Sequence, residues 1–289
     1  MYKVVRRRSL KPTVTQIEVE APLVARKAKP GQFIILRVDE EGERIPLTVA
    51  GTNPEEGTVM VIVQVVGATT EKLNRKMEGD YLQDFVGPLG NPTETEGIKK
   101  VCIVGGGVGC AIAWPVAQEF HRIGAEVTSI IGFRSQDLVI LEDEFEACSD
   151  RLIVMTDDGS YKREGNVTVP LRELLEAGEK FDMIITIGPL IMMKFVTLTA
   201  KDFNAPITVS MSPIMVDGTG MCGCCRLTLH TEEGDVTKFA CVDGPDFNGY
   251  EVDFDEAIAR GRTYFDYERK QHDHVCNLIK QADELKANA

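Results

Sequence analysis

Little in the chain would anchor it in a membrane or staple it by cross-links. The longest uncharged stretch, Val101 to Gln118, is broken by Gly105, Gly106, Gly107, Gly109 and Pro115, so it does not read as a bilayer span. No apolar run follows the basic opening residues Arg6, Arg7, Arg8 and Lys11, which predicts no secretory signal and a cytoplasmic protein. Positive charge is in deficit: 32 Lys and Arg stand against 45 Asp and Glu, a net charge of −13. That balance argues against nucleic acid and against an anionic membrane surface as partners. The four histidines, His121, His230, His272 and His274, form no evident catalytic pair. Eight cysteines in 289 residues are too sparse for a disulfide scaffold. Repeats and low-complexity segments are absent as well.

What is present is a globular composition, 43% hydrophobic and 27% charged, in a chain long enough for roughly two domains. From Thr13 to about Gly90 the apolar residues follow the strand period of two, as in Thr15, Ile17, Val19 and Ala21 and again in Val59, Val61, Val63 and Val65. Turn signals at Pro30-Gly31, Asn53-Pro54 and Gly87-Pro88 cut this region into short strands, and helical signal is nearly absent, so residues 1–97 read as an antiparallel β-barrel. Over 98–212 short apolar runs alternate with helix-length stretches, the βαβ rhythm of a parallel sheet. Thr168 is placed to cap a helix with Pro170 in its first turn. Residues 213–249 are rich in Gly and Cys without a period, as expected of a segment organised by an inorganic centre. Residues 250–289 read as a helical tail whose stripe Val275, Leu278, Ile279 and Ala282 suits packing on the body or on a subunit interface. The fold class is therefore multidomain, β plus α/β.

Three constellations carry chemistry. The strand Val101 to Val104 runs into Gly105, Gly106, Gly107, Val108 and Gly109 and then a helix, a turn that lets backbone N–H groups approach a pyrophosphate. Cys110 breaks the strict G-x-G-x-x-G pattern, and the second strand ends in Arg134 rather than an acidic residue, so NAD and NADP are not separated. A turn with a purely structural role is the alternative. The second constellation is Asp217, then Cys222, Cys224, Cys225 and the later Cys241. Plant-type [2Fe–2S] sites space their ligands C-x4-C-x2-C with a distant fourth cysteine, and Asp217, Cys222, Cys225 and Cys241 fit with a carboxylate first and Cys224 as bystander. A structural zinc held by all four cysteines is the competing reading, though adjacent Cys224 and Cys225 suit one tetrahedron poorly. The third lies in the barrel: Arg44, Pro46, Leu47 and Thr48, then Gly67, Thr69 and Thr70, then Gly87, an arginine with hydroxyls and turns suited to a flavin diphosphate.

Taken in order, the barrel, the glycine turn and the cysteine cluster resemble the ferredoxin–NADP reductase superfamily with a C-terminal iron–sulfur segment. Within it the chain is similar to the small (alpha) subunits of NADH-dependent ferredoxin–NADP oxidoreductases, electron-bifurcating enzymes also described as sulfide dehydrogenase beta subunits. The resemblance rests on Met-Val-Asp217-Gly-Thr-Gly-Met-Cys222-Gly-Cys224-Cys225 with Phe-Ala-Cys241-Val-Asp-Gly-Pro. It implies FAD on the barrel, NAD(H) on the sheet and a [2Fe–2S] cluster held by three cysteines and an aspartate. It also implies a large partner subunit carrying a second FAD and [4Fe–4S] clusters, with ferredoxin served through that partner. The superfamily's flavin motif R-x-Y-[ST] is met imperfectly: with Thr48 at its end, Leu47 takes the aromatic position and Arg44 sits one residue early. Asp157, Asp158 and Gly188 resemble the nicotinamide-side loops. No acid–base residue is expected at the hydride step, and Thr48 is the candidate nearest the flavin. The electron-transfer subunit of dihydroorotate dehydrogenase B shares the layout but has cysteine where Asp217 stands here. A non-enzymatic, zinc-stabilised nucleotide-binding protein is the remaining alternative.

Overall fold

The computed structural model describes residues 1–273. The stripe from Val275 to Ala282 lies outside them. The first sheet contains β1 (Tyr2–Lys11), β2 (Val14–Glu20), β3 (Phe33–Arg37), β4 (Arg44–Asn53), β5 (Thr58–Gln64), β6 (Tyr81–Leu82) and β7 (Asp84–Leu89), in the order β6-β1-β2-β5-β4-β3-β7. Its two end strands, β6 and β7, are separated in the chain by Gln83 alone, so the antiparallel sheet curls back on itself. Alternation explains the inside: Ile17, Val19, Val59, Val61 and Val63 pack in the barrel core. Ile62 and Ala50 face outward, yet they are buried, because a helix of the next unit covers them. Two short helices interrupt the β-rich region, α1 (Pro22–Ala25) and α2 (Ala68–Asn74). The apolar period did not announce α2, whose seven residues complete too few turns to make a stripe.

The second sheet is built from β8 (Lys100–Gly106), β9 (Glu126–Phe133), β10 (Arg151–Thr156), β11 (Arg163–Glu164), β12 (Met183–Ile187) and β13 (Ile207–Ser210). The connecting helices are α3 (Cys110–Arg122), α4 (Glu142–Glu146), α5 (Thr168–Glu176) and α6 (Leu190–Asp202). The pairings between β8 and β13 are parallel, and the order β11-β10-β9-β8-β12-β13 reverses between β8 and β12. Such a reversal is the topological switch point at which open α/β sheets bind ligands. Val101 and Ile103 pack under α3 while Cys102 and Val104 face the opposite core, which is why β8 reads as an unbroken apolar run. Thr168 is the first residue of α5 and not its cap. Asn166 does the capping, its Oδ1 accepting from Thr168 N at 3.0 Å and from Thr168 Oγ1 at 2.5 Å.

The Gly- and Cys-rich segment is more regular than its sequence period suggests. It forms a hairpin of β14 (Arg226–Thr231) and β15 (Gly234–Phe239), then β16 (Asp246–Asn248), which joins the second sheet antiparallel to β13. Helix α7 (Phe254–Gly261) follows, capped by Asp253, whose side chain accepts from Glu256 N at 2.9 Å. Among the described residues no helix is long and apolar enough to cross a membrane.

His230 on β14 bridges the hairpin to this cap, with Nδ1 2.7 Å from Asp235 and Nε2 3.3 Å from Asp253. Asp235 first, and Asp253 with it, raise the His230 pKa above its ordinary 6.5. The proton is thus bound more tightly folded than unfolded, so the stabilisation is complete below about pH 6.5 and fades as pH rises through the higher folded-state value. His230→Gln should therefore lower the melting temperature at about pH 6 and leave it nearly unchanged at about pH 9. Equal losses at both pH values in thermal scans would refute the bridge.

Candidate functional site

At the switch point, β8 ends in Gly105-Gly106 and α3 starts at Cys110, with Gly107 to Gly109 forming one tight turn between them. A Cβ on Gly109 would lie 2.6 Å from the Ile187 carbonyl oxygen, so the turn can press against the end of β12 only because that residue is glycine. Gly107, at φ +55°, has open space where its Cβ would be. The turn is therefore closed on its protein side and open on the other, as a backbone cradle for a phosphate must be. Gly188 stands across the switch point, after β12, and its own Cβ position is crowded by Met192 and by Gly106. Val108 lines the same turn and packs on the α3 core.

The loops after β9 and β10 meet beside this turn. Asp157 N donates to Phe133 O at 2.9 Å and Asp158 N to Arg134 O at 3.2 Å. Asp158 also accepts from Ser160 Oγ at 2.6 Å, while Ser160 Oγ accepts from Gln136 N at 2.8 Å. These Ser160 bonds hold the Asp158 carboxyl below the ordinary carboxylate range. Arg134, Asp157 and Asp158 are all exposed at the rim.

In the barrel, Thr48 pairs with Phe33, Pro46 with Ile35 and Arg44 with Arg37. Residues directly opposed in an antiparallel pair share a face. Arg44, Pro46 and Thr48 therefore lie on one wall with Phe33 and Ile35, whereas Leu47 and Ile45 pack on the barrel core. The aromatic position of the flavin motif thus holds a core leucine here, and Arg44 is in phase with Thr48 along the outer wall. Gly67 is the N-cap of α2, where Thr70 Oγ1 accepts from Val66 N and Gly67 N, each at 2.9 Å. The Thr70 hydroxyl is thereby occupied by capping. Thr69 donates to Glu43 at 3.2 Å and brings α2 beside Arg44. Gly87 is needed for packing, since a Cβ there would meet Ile34 Cγ2 at 2.6 Å.

The iron–sulfur candidates divide into two pairs. Cys225 and Cys241 are buried with their sulfurs 3.2 Å apart. Asp217 and Cys222 are joined through the backbone: Asp217 accepts from Thr219 N at 2.9 Å and from Cys222 N at 3.0 Å. Those N–H groups, Thr219 first, hold the Asp217 carboxyl below its usual range, so it stays an anionic oxygen donor. Burial pushes the Cys241 thiol up to about 12, with Cys225 adding to the shift. Deprotonating Cys241 therefore calls for a nearby cation, which iron would supply. Among the described residues no three His, Cys, Asp or Glu side chains are gathered closely enough for a single metal ion. Two donors per iron is what a two-iron cluster asks of four ligands, and the donor set fits it. Cys224 lies against Cys222, whose hydrogen bond raises the Cys224 thiol. Cys102 and Cys110, by contrast, are core residues whose thiols burial pushes far up. Cys276 lies outside the described residues.

Sequence reasoning missed what seats this loop. Gly218, at φ +74°, abuts the barrel wall, where a Cβ would be 2.6 Å from Leu89 and 3.0 Å from Ile35. Asn91 N donates to Gly244 O at 2.7 Å and Asn91 Nδ2 to Val242 O at 3.1 Å. Thr93 Oγ1 donates to Asp246 at 2.6 Å. Cys225, Cys241, Met211 and Met215 consequently share one apolar core with Phe33 and Ile35. The turn Gly90-Asn91-Pro92-Thr93 and the matching Gly244-Pro245-Asp246 were the available signals, but neither names its partner. A cleft of about 570 Å³ between Val49–Thr52 and the last turns of α3 is lined by none of these candidates.

A barrel with an outward arginine–threonine wall, a parallel sheet with a glycine cradle at its switch point and a seated thiolate loop define a reductase of the ferredoxin-reductase type with an iron–sulfur appendage. Comparison with known proteins agrees. Residues 212–253 match the family described as the iron–sulfur cluster binding domain of dihydroorotate dehydrogenase B. The chain is 48% identical, over 98% of both chains, to a Thermotoga maritima protein named dihydroorotate dehydrogenase B (NAD(+)), electron transfer subunit homolog. It is 32% identical, over 85% of its length and 94% of the relative's, to the corresponding electron transfer subunit of Streptococcus pneumoniae. A solved chain of the NADH-dependent reduced ferredoxin–NADP oxidoreductase, studied for flavin-based electron bifurcation, superposes with a TM-score of 0.87 at 46% identity, covering 95% of this chain and 97% of that one. The ferredoxin reductase of carbazole 1,9a-dioxygenase, at 21% identity, TM-score 0.62 and coverage of 72% and 67%, shares the fold. The chain belongs to the family of dihydroorotate dehydrogenase B-type electron transfer subunits, flavin and iron–sulfur oxidoreductases built on the ferredoxin-reductase fold.

Gly109→Ala should force the α3 turn off the Ile187 carbonyl, costing about 1–3 kcal/mol, and should weaken NADH binding. Thermal denaturation and NADH fluorescence titration check this, and an unchanged melting temperature together with unchanged affinity would contradict the crowded geometry.

Proposed function

We propose that this chain is the small, electron-transfer subunit of an electron-bifurcating NADH-dependent ferredoxin:NADP+ oxidoreductase, passing electrons between NAD(H), FAD and a [2Fe–2S] cluster. The observation that carries the reading is the seat of the Asp217-to-Cys225 loop on the barrel wall, with Cys225 in one core with Phe33 and Ile35. When bound, the flavin exchanges electron pairs with a nicotinamide and single electrons with a cluster. Arg44, Pro46, Thr48, Gly67 and Thr69 would hold the flavin, and Gly105 to Gly109 with Gly188 would hold the dinucleotide diphosphate. Arg134, Asp157 and Asp158 would line its ribose side. Asp217, Cys222, Cys225 and Cys241 would ligate the cluster, and the apolar core behind Cys225 and Cys241 keeps water from that side of it. None of these residues is a histidine, consistent with a step that needs alignment more than a proton donor.

The partner in this reading is a large subunit bearing a second FAD and [4Fe–4S] clusters. A net charge of −13 makes this chain a poor dock for an acidic ferredoxin, which would be served through that subunit. A cytoplasmic location fits the same reading. The match over residues 212–253 favours a second one, service to a dihydroorotate-oxidising partner. The carboxylate at position 217 argues for the first. Reduction of the purified complex by NADPH but not by dihydroorotate is the expected result, and the reverse would select the alternative.

The anaerobically purified chain should be coloured, with flavin bands and about two irons per chain. A zinc-containing, colourless protein would sink the proposal. Asp217→Cys should retain a cluster at a shifted midpoint potential, since a thiolate replaces a harder oxygen donor. An unmoved midpoint in a redox titration would count against ligation by Asp217.

A further inference from the structure

We infer that Arg260 is a positioning residue for the iron–sulfur centre, orienting the peptide of one ligand and setting a cation beside the donors so that the reduction potential is raised. The inference rests on the ligand set proposed above. Arg260 lies in the last turn of α7, and its Nη2 donates to the Cys224 carbonyl oxygen at 3.2 Å, across 36 positions of sequence. That carbonyl belongs to the Cys224–Cys225 peptide, which is trans, because the cis bonds of the described chain are the two Gly–Pro bonds. A planar trans peptide presents its N–H opposite its carbonyl. Anchoring the oxygen therefore sets the direction of the Cys225 N–H.

The donors, three thiolates and a carboxylate, bring four formal negative charges. Reduction adds another, so a nearby cation and an oriented N–H both favour the reduced state. Arg226 also reaches the loop, donating to Gly223 O at 3.4 Å, but it is exposed and its charge is screened by solvent. Arg260 is half-buried and keeps more of its field. Helix α7 does not need Arg260 to stay docked, since it has the Asp253 cap, the Lys194–Asp255 ion pair at 2.6 Å and buried Phe254 and Ala257.

The test uses the full chain with its cofactors and three variants, Arg260→Gln, Arg260→Lys and, as a control on helix docking, Asp255→Asn. Iron content, the paramagnetic resonance spectrum of the reduced protein and the midpoint potential are measured for each. Arg260→Gln should keep its iron and show a midpoint lowered by about 59 mV, a tenfold weaker one-electron reduction. Arg260→Lys should shift in the same direction by less, and it carries the test if the glutamine variant does not fold. Asp255→Asn should leave the midpoint unmoved. Full iron with unchanged midpoints in both Arg260 variants overturns the inference, as does an equal shift in Asp255→Asn, which would make the effect one of helix docking. An iron-free parent protein would instead overturn the proposed ligand set.

Discussion

The contact on which the rest depends is the latch between the end of the barrel and the loop that carries the cysteines. Thr93 donates to a carboxyl of Asp246 that burial pushes above the ordinary carboxylate range. Asp246 Oδ1 is buried without a partner among the described residues. A buried carboxyl so poorly supplied is costly, and a hydrogen bond to such a group is worth about 1.5–3 kcal/mol when charged. Removing the Thr93 hydroxyl would leave Ser210 as the remaining side chain that favours the ionised carboxyl. The two Asn91 bonds and the close approach of Gly218 to Leu89 complete the latch, so the cysteine loop is part of the barrel wall and not an appendix on a linker.

That seat decides the relation of the sites. β16 enters the second sheet beside β13, with Asp246 opposite Ser210 at the carboxyl end of β13. The carboxyl ends of β8 and β12 carry the glycine turn and Gly188, and Phe33 and Ile35, which share the wall of Thr48 and Pro46, pack in the core of the second sheet. On the far side α3 fills the angle between sheet and barrel through Ala50 and Ile62. Contacts that hold the two units together thus include an apolar one under α3 and a polar one at Thr93.

Much of this was legible. Period-two alternation points to the barrel and the βαβ rhythm to the parallel sheet, because each is a local consequence of which face is buried. The cysteine spacing pointed to a two-iron site because ligands on one loop are a local property too. The hairpin of β14 and β15 escaped notice behind a Gly-rich composition, although Leu227 and Leu229 alternate with Thr228 and His230. The start of α5 is legible only to within two residues, since Asn166 and Thr168 both have side chains able to cap and only the backbone path decides between them. Thr70 reads from the sequence as a candidate flavin hydroxyl, and in the fold its Oγ1 closes the first turn of α2, a local competition that a set of hydroxyls does not reveal.

From the chain of residues alone came the kinds of chemistry available: thiolates with one carboxylate, a glycine-rich turn, and an excess of acidic side chains. These follow from spacing and composition, which need no knowledge of distant neighbours. Folding in three dimensions decided which of them meet. Asp246 lies 153 positions from Thr93 and Arg260 lies 36 from Cys224. Nothing periodic marks such pairs, because they are brought together by the packing of whole sheets and helices and not by the conformational preferences of the residues beside them.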